Sequence, residues 1–184
     1  MKNITVKQLF ESTPEEFKEY HEILKHLIPK IPPIGKQIKS LTDLSYGKVA
    51  LIRSELGVNE FETILNVFKA AFKIKRDNVL NMEIVQFYQA LNWLQEELKT
   101  LSMREKKFLS AEPDPVLKEA GIDRLNVFTD LNPLINLAKQ YSKSPDEVSK
   151  WNYNLVFSLL LHGKIMGEID VEYRRIKEAN QSNR

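Results

Sequence analysis

The chain has 184 residues, of which 42% are hydrophobic and 28% charged, a balance that excludes a disordered polypeptide and allows a sizeable core. It contains no cysteine, which excludes disulfides, thiolate metal sites and a cysteine nucleophile. Its 27 basic and 25 acidic residues are interspersed, for a net charge of +2, without the one-sided basic surplus of a typical nucleic-acid-binding domain.

Six glycines and eight prolines are few for this length and disfavour a sheet-rich fold with many tight turns. No run approaches the ~18 apolar residues of a membrane span, and the start Met1-Lys2-Asn3-Ile4-Thr5 lacks a signal-peptide apolar region. The expectation is a cytosolic chain with no membrane partner.

Thr5 can cap a short helix ending near Phe10. Thr13-Pro14-Glu15-Glu16 forms a capping box, with threonine at the N-cap, proline at N1 and glutamate at N3. The helix after it carries Phe17, Tyr20, Ile23, Leu24 and Leu27 at helical spacing, and Pro29 is expected to end it. Pro29, Pro32, Pro33 and Gly35 make an extended connector, which Ile28, Ile31 and Ile34 should hold against the core. Ser45 can cap a helix that stops at Gly57, although Val49-Ala50-Leu51-Ile52 also suits a short strand. Asn59 then caps a helix over 60–74 with Phe61, Ile64, Leu65, Phe68 and Phe72 on one face.

Asn81 opens the longest candidate, over 81–109, with Ile84, Phe87, Tyr88, Leu91, Leu94, Leu98, Leu101 and Phe108 as its stripe. It is either one spine or two helices broken near Ser102. Ala111-Glu112-Pro113-Asp114-Pro115 is the clearest loop. It divides an N-terminal helical body, 1–110, from a C-terminal helical module, 111–184. That module contains a short helix ending at Gly121, another over 133–141, a capped one from Ser144 to Trp151, and a long amphipathic helix over 154–179. The fold class is therefore all-α, an irregular multi-helix bundle with two long amphipathic helices. Its core should include Phe61, Leu65, Phe68, Phe87, Leu91, Leu94, Leu98, Trp151, Leu159 and Met166.

Few residues suggest chemistry. His21 and His26 are five positions apart, about 140° round a helix, so they cannot chelate one ion as a zincin pair does. There is no phosphate-binding glycine loop and no nucleophile elbow. Glu15-Glu16 and Glu96-Glu97 are helical neighbours that diverge by about 100° and suit a solvated face or a helix N-terminus. No catalytic, metal or cofactor site is expected.

Two features could bind a macromolecule. Gly163 and Gly167 lie four apart on the terminal helix, beside Val156, Leu159, Met166, Ile169 and Tyr173. Since a helical glycine costs about 1 kcal/mol relative to alanine, the pair suggests close approach by a helix of this chain or of a partner, or else a helix break. The expected interface is Leu159, Gly163, Met166, Gly167 and Tyr173. The other feature is basic: Lys73, Lys75 and Arg76, then Arg104, Lys106 and Lys107, then Arg174, Arg175 and Lys177. Phosphate contacts need several such side chains on one surface, whereas cations at helix ends also serve the helix dipole.

The C-terminal segment resembles small tail-assembly proteins of tailed bacteriophages, the tail assembly chaperones and their neighbours in morphogenesis. The likeness lies in Leu137-Ala138-Lys139-Gln140-Tyr141, Ser144-Pro145-Asp146-Glu147-Val148 and Trp151-Asn152-Tyr153-Asn154-Leu155-Val156-Phe157. It implies a non-enzymatic helical protein that binds other phage structural or assembly proteins, or itself, through apolar helix faces. The implied place of action is the host cytoplasm during assembly, or the virion. The alternative is a helical nucleic-acid-binding protein using the basic clusters.

Overall fold

A computed structural model describes residues 4–58, 60–110 and 115–182. The protein is all-α: helix accounts for 76%, and no strand occurs among the described residues. The chain forms two compact units, residues 1–103 and 104–184.

The first unit contains α1 (Val6–Phe10), α2 (Pro14–Leu24), α3 (Tyr46–Val58), α4 (Phe61–Phe72), α5 (Arg76–Leu80) and most of α6 (Ile84–Leu109), with a 3-10 turn at Leu41–Asp43. Both expected caps form. Thr5 accepts from the Gln8 amide and Thr13 from the Glu16 amide, and each N3 side chain returns a bond to its cap residue. Backbone bonds from Val6 to the Met82 carbonyl and from Ile84 to the Ile4 carbonyl, each 3.0 Å, tie α1 to the start of α6.

The core of this unit centres on α4, which packs against α3 and meets α6 through ring contacts. Val67, Phe68, Ala71 and Phe72 of α4 are buried, as are Phe87, Tyr88, Ala90 and Leu94 of α6. Phe68 stacks on Phe87 with centroids 5.0 Å apart and rings 11° from parallel. Such offset ring pairs add about 0.5–1.5 kcal/mol to the burial itself. Gly35, an exposed residue of the connector beside the end of α4, takes φ +87°, and a Cβ there would lie 2.5 Å from the Phe72 carbonyl oxygen. Both the left-handed backbone and the missing side chain are required there.

Several expectations need correction here. α2 stops at Leu24, not at Pro29: the Asn92 amide donates to the carbonyls of Lys25 and Leu27, satisfying acceptors that a longer helix would have used internally. The connector turns Ile28 and Ile34 outward, at 79% and 40% exposure, while Ile31 is half-buried and Pro32 is its buried residue. The 49–52 segment is helical, and α3 continues through Gly57 to Val58. The expected cap Asn59 lies outside the described residues, and Glu60 at the N-cap makes no side-chain capping bond. α4 ends at Phe72 because Lys73 takes a left-handed conformation, φ 57°. α6 begins at Ile84, after a separate short α5, and runs unbroken past Ser102.

The second unit contains the last turns of α6, then α7 (Pro115–Glu119), a 3-10 segment at Ile122–Phe128, α8 (Leu131–Tyr141), α9 (Pro145–Ser149) and α10 (Tyr153–Ser182). Residues 111–114 of the double-proline loop lie outside the described residues. The core is small: Leu134, Leu137, Ala138, Val148, Tyr153, Val156 and Phe157. α9 has the full capping box, Ser144 and Glu147 bonding each other's backbone. The segments number more than six to eight, since several are single helical turns closed by caps.

Of the expected core residues, Leu65, Phe68, Phe87 and Leu94 are buried, while Phe61, Leu91, Leu98, Trp151 and Leu159 are half-buried. Met166 is an outright error, 44% exposed. Helical spacing identifies a face but not whether anything covers it.

Candidate functional site

The first turns of α10 are fixed by packing and by polar contacts to the end of α6. The Tyr153 hydroxyl donates to Glu105 at 2.7 Å. The Arg104 guanidinium lies 3.9 Å above the centre of the Phe157 ring and donates to Asn154 at 3.0 Å. Further along, the Lys164 ammonium donates to the carbonyls of Phe108 and Ser110 at 3.1 and 2.8 Å. A cation bonded to the last carbonyls of a helix also meets the negative end of its dipole.

Beyond Lys164 the helix changes character. Every described side chain from Ile165 to Gln181 is exposed. Apolar residues nevertheless recur, with Ile169 at 53%, Tyr173 at 64% and Ile176 at 52% exposure. Of the expected interface, Leu159 is half-buried, whereas Met166, Tyr173, Gly163 and Gly167 lie in the open. A Cβ on either glycine would meet nothing within 4 Å, so no helix among the described residues fills that face, and α10 continues unbroken through both glycines.

The basic clusters fare differently. Lys73, Lys75 and Arg76 line one hollow of about 520 Å³, over a floor that includes Leu65 and Ile74. Lys69 joins them. It was missed in the sequence, although its position one helical turn before Lys73 was the available signal. Arg76 is paired with Glu62 at 2.6 Å. Arg104, Lys106 and Lys107 belong to the second unit. There Arg104 is committed to Phe157, and Lys107 lies over the Phe108 ring at 5.2 Å. Arg175 pairs with Glu172.

His21 does not resemble a metal ligand. Its Nδ1 is 3.0 Å from the Tyr88 hydroxyl, and no metal-holding cluster of acidic and histidine side chains occurs among the described residues. Burial pushes the Tyr88 hydroxyl up to about 12. No helix among the described residues is long and apolar enough to cross a membrane.

The sequence matches no family model, no curated protein and no solved structure.

Proposed function

We propose that this chain is a non-enzymatic assembly protein of a tailed bacteriophage, acting in the host cytoplasm during morphogenesis or within the virion. In this reading α6 and α10 are two long amphipathic helices with different duties. α6 spends its apolar side on the chain's own core, while α10 offers its apolar side to a helix of another protein. The observation that carries the reading is the uncovered stripe of Met166, Ile169, Tyr173 and Ile176 on one described helix. Contiguous exposed apolar surface of this kind marks interaction sites. The phage setting rests on the resemblance of the 137–157 segment.

Pairwise binding between the purified chain and proteins encoded beside it tests this. Binding that persists at high salt and is lost in Ile169→Glu supports the reading; unchanged binding by Ile169→Glu removes α10 from it. The second reading, nucleic-acid binding, is favoured by Lys69, Lys73, Lys75 and Arg76 surrounding one hollow. It requires affinity for DNA or RNA that falls steeply with salt and weakens in Lys73→Glu. A flat salt response rejects it.

A further inference from the structure

The apolar stripe of α10 has a regular register. Leu159, Met166 and Tyr173 recur every seven residues, and Asn180 follows at the next step. Leu155, His162, Ile169 and Ile176 form a second seven-residue series, each member four before or three after one of the first. These alternating steps of three and four are the a and d positions of a coiled coil, with Leu159 as an a residue and Leu155 as a d residue. A seam of period 3.5 suits a supercoiled partner helix, whereas the globular core of a single chain usually takes a broader stripe.

The flanking charges narrow the choice of partner. In this register Glu172 is a g residue and Lys177 is the e residue that a g residue meets across a parallel pair. Two identical helices in register would therefore place Glu172 of each against Lys177 of the other, twice by symmetry. The remaining g-to-e pairs, Ser158 with Gly163 and Ile165 with Asp170, bring no like charges together. Asn180 would face its own copy at an a layer, where a polar amide specifies register.

The antiparallel alternatives are worse. Pairing Met166 with Ile176, and Ile169 with Tyr173, brings Glu172 against its own copy. Sliding the helices by one heptad relieves that contact in either direction. One slide pairs Ile169 with Asn180 and leaves Leu159 and Met166 without apolar partners. The other sets Asn180 against Leu155 and Glu172 against Ile165, so neither gives Glu172 a lysine partner.

We infer that α10 is the dimerisation element of this protein, pairing with a second copy as a parallel, in-register coiled coil over 155–180. This names the first partner of the apolar face and rests on the assembly reading above. It also accounts for the helix itself: a segment of this length with no buried residue past Lys164 and two interior glycines is marginal alone, because most helical stability comes from packing.

The absence of cysteine allows a direct test with single-cysteine variants of the full chain under mild oxidation. Ile169→Cys and Ile176→Cys, at d positions, should each give a covalent dimer of twice the 21.4 kDa chain mass. Val171→Cys, on the opposite side at f, should not. Sedimentation of the untreated protein should show a concentration-dependent dimer, weakened at least about 100-fold by the double variant Ile169→Glu with Ile176→Glu. The double variant should retain the near-ultraviolet spectrum of the folded units, because both residues are exposed.

A monomer at ~100 μM with no cross-link overturns the inference. If Ile169→Cys does not link to itself but links to Met166→Cys, Tyr173→Cys or Asn180→Cys in a mixture, the parallel orientation is overturned. A monomer that still binds a neighbouring gene product through Ile169 overturns self-pairing while sparing the assembly reading, and loss of both activities overturns both.

Discussion

Tyr153 donates a hydrogen bond from its hydroxyl to Glu105 Oε1 at 2.7 Å, joining the first residue of α10 to the last turns of α6. The ring is 1% exposed, so one side chain contributes both burial and a charge-assisted bond. Tyr153→Phe keeps the ring and removes the bond. Because half-buried Glu105 can regain water, the expected loss is at the low end for bonds to charged groups, about 1.5 kcal/mol. Tyr153→Ala removes the ring as well and should cost about 3–5 kcal/mol. Urea unfolding followed by Trp151 fluorescence, in a Trp93→Phe background, reports the second unit. An unchanged midpoint in Tyr153→Phe would show that the bond contributes nothing.

Glycine substitutions should have opposite signs in the two units. Gly35→Ala places a Cβ in a left-handed backbone, 2.5 Å from the Phe72 carbonyl oxygen and Ile74 Cγ1. Backbone cannot retreat as a flexible side chain can, so strain and overpacking together predict a loss of about 2–4 kcal/mol. Gly167→Ala meets nothing within 4 Å and should favour the helix by about 1 kcal/mol. Circular dichroism melts check both: a lower first transition for Gly35→Ala, and more helix with later melting for Gly167→Ala. A destabilised Gly167→Ala would mean that a close neighbour occupies that face in solution.

Local signals were legible in the sequence wherever the residues involved are neighbours. Thr13-Pro14-Glu15-Glu16 and Ser144-Pro145-Asp146-Glu147 identify helix starts because each cap bonds only within one turn. The end of α2 was not legible, since it depends on Asn92, 67 positions from Lys25. Tyr88 and His21 are likewise separated by 67 positions, and no local pattern announces their bond. The candidate interface was half legible: spacing placed Met166 and Tyr173 on one face but was silent on whether the chain covers that face. The glycines drew attention to α10. Their open surroundings move the weight from close backbone approach to the apolar seam beside them.

The α9 cap makes a prediction about acidity. The Ser144 backbone amide bonded to the Glu147 carboxylate, helped by Lys143, holds that carboxylate below its usual value of 4.5. A lowered folded value means that the cap's contribution is complete above the ordinary glutamate range and is lost as pH falls through the lower folded value. Carbon-detected NMR titration of Glu147 should therefore show a midpoint below 4.5. Lys143→Ala should move it part of the way back. Ser144→Ala, which removes the hydroxyl that accepts from the Glu147 amide, should cost about 1 kcal/mol as a lost N-cap. A normal midpoint in the wild type would show that the capping box is not populated.

The Tyr88 hydroxyl gives the opposite pH signature. Its pKa is raised from 10.0 to about 12, and the cause is burial, which penalises the phenolate. The neutral phenol is held by His21, whose Nδ1 accepts the hydroxyl proton in the tautomer that carries hydrogen on Nε2. Between pH 10 and 12 the unfolded chain has released this proton while the folded chain retains it. Stability is thus complete below about pH 10 and falls as pH rises toward 12. Absorbance titration at the tyrosinate band should show a late-ionising component that loses one tyrosine in Tyr88→Phe. His21→Leu should leave Tyr88 late, because burial rather than the imidazole raises it. If all the tyrosines ionise together near 10 while the protein is still folded, water reaches Tyr88, and the aromatic contact between α2 and α6 is looser than the 3.0 Å bond implies.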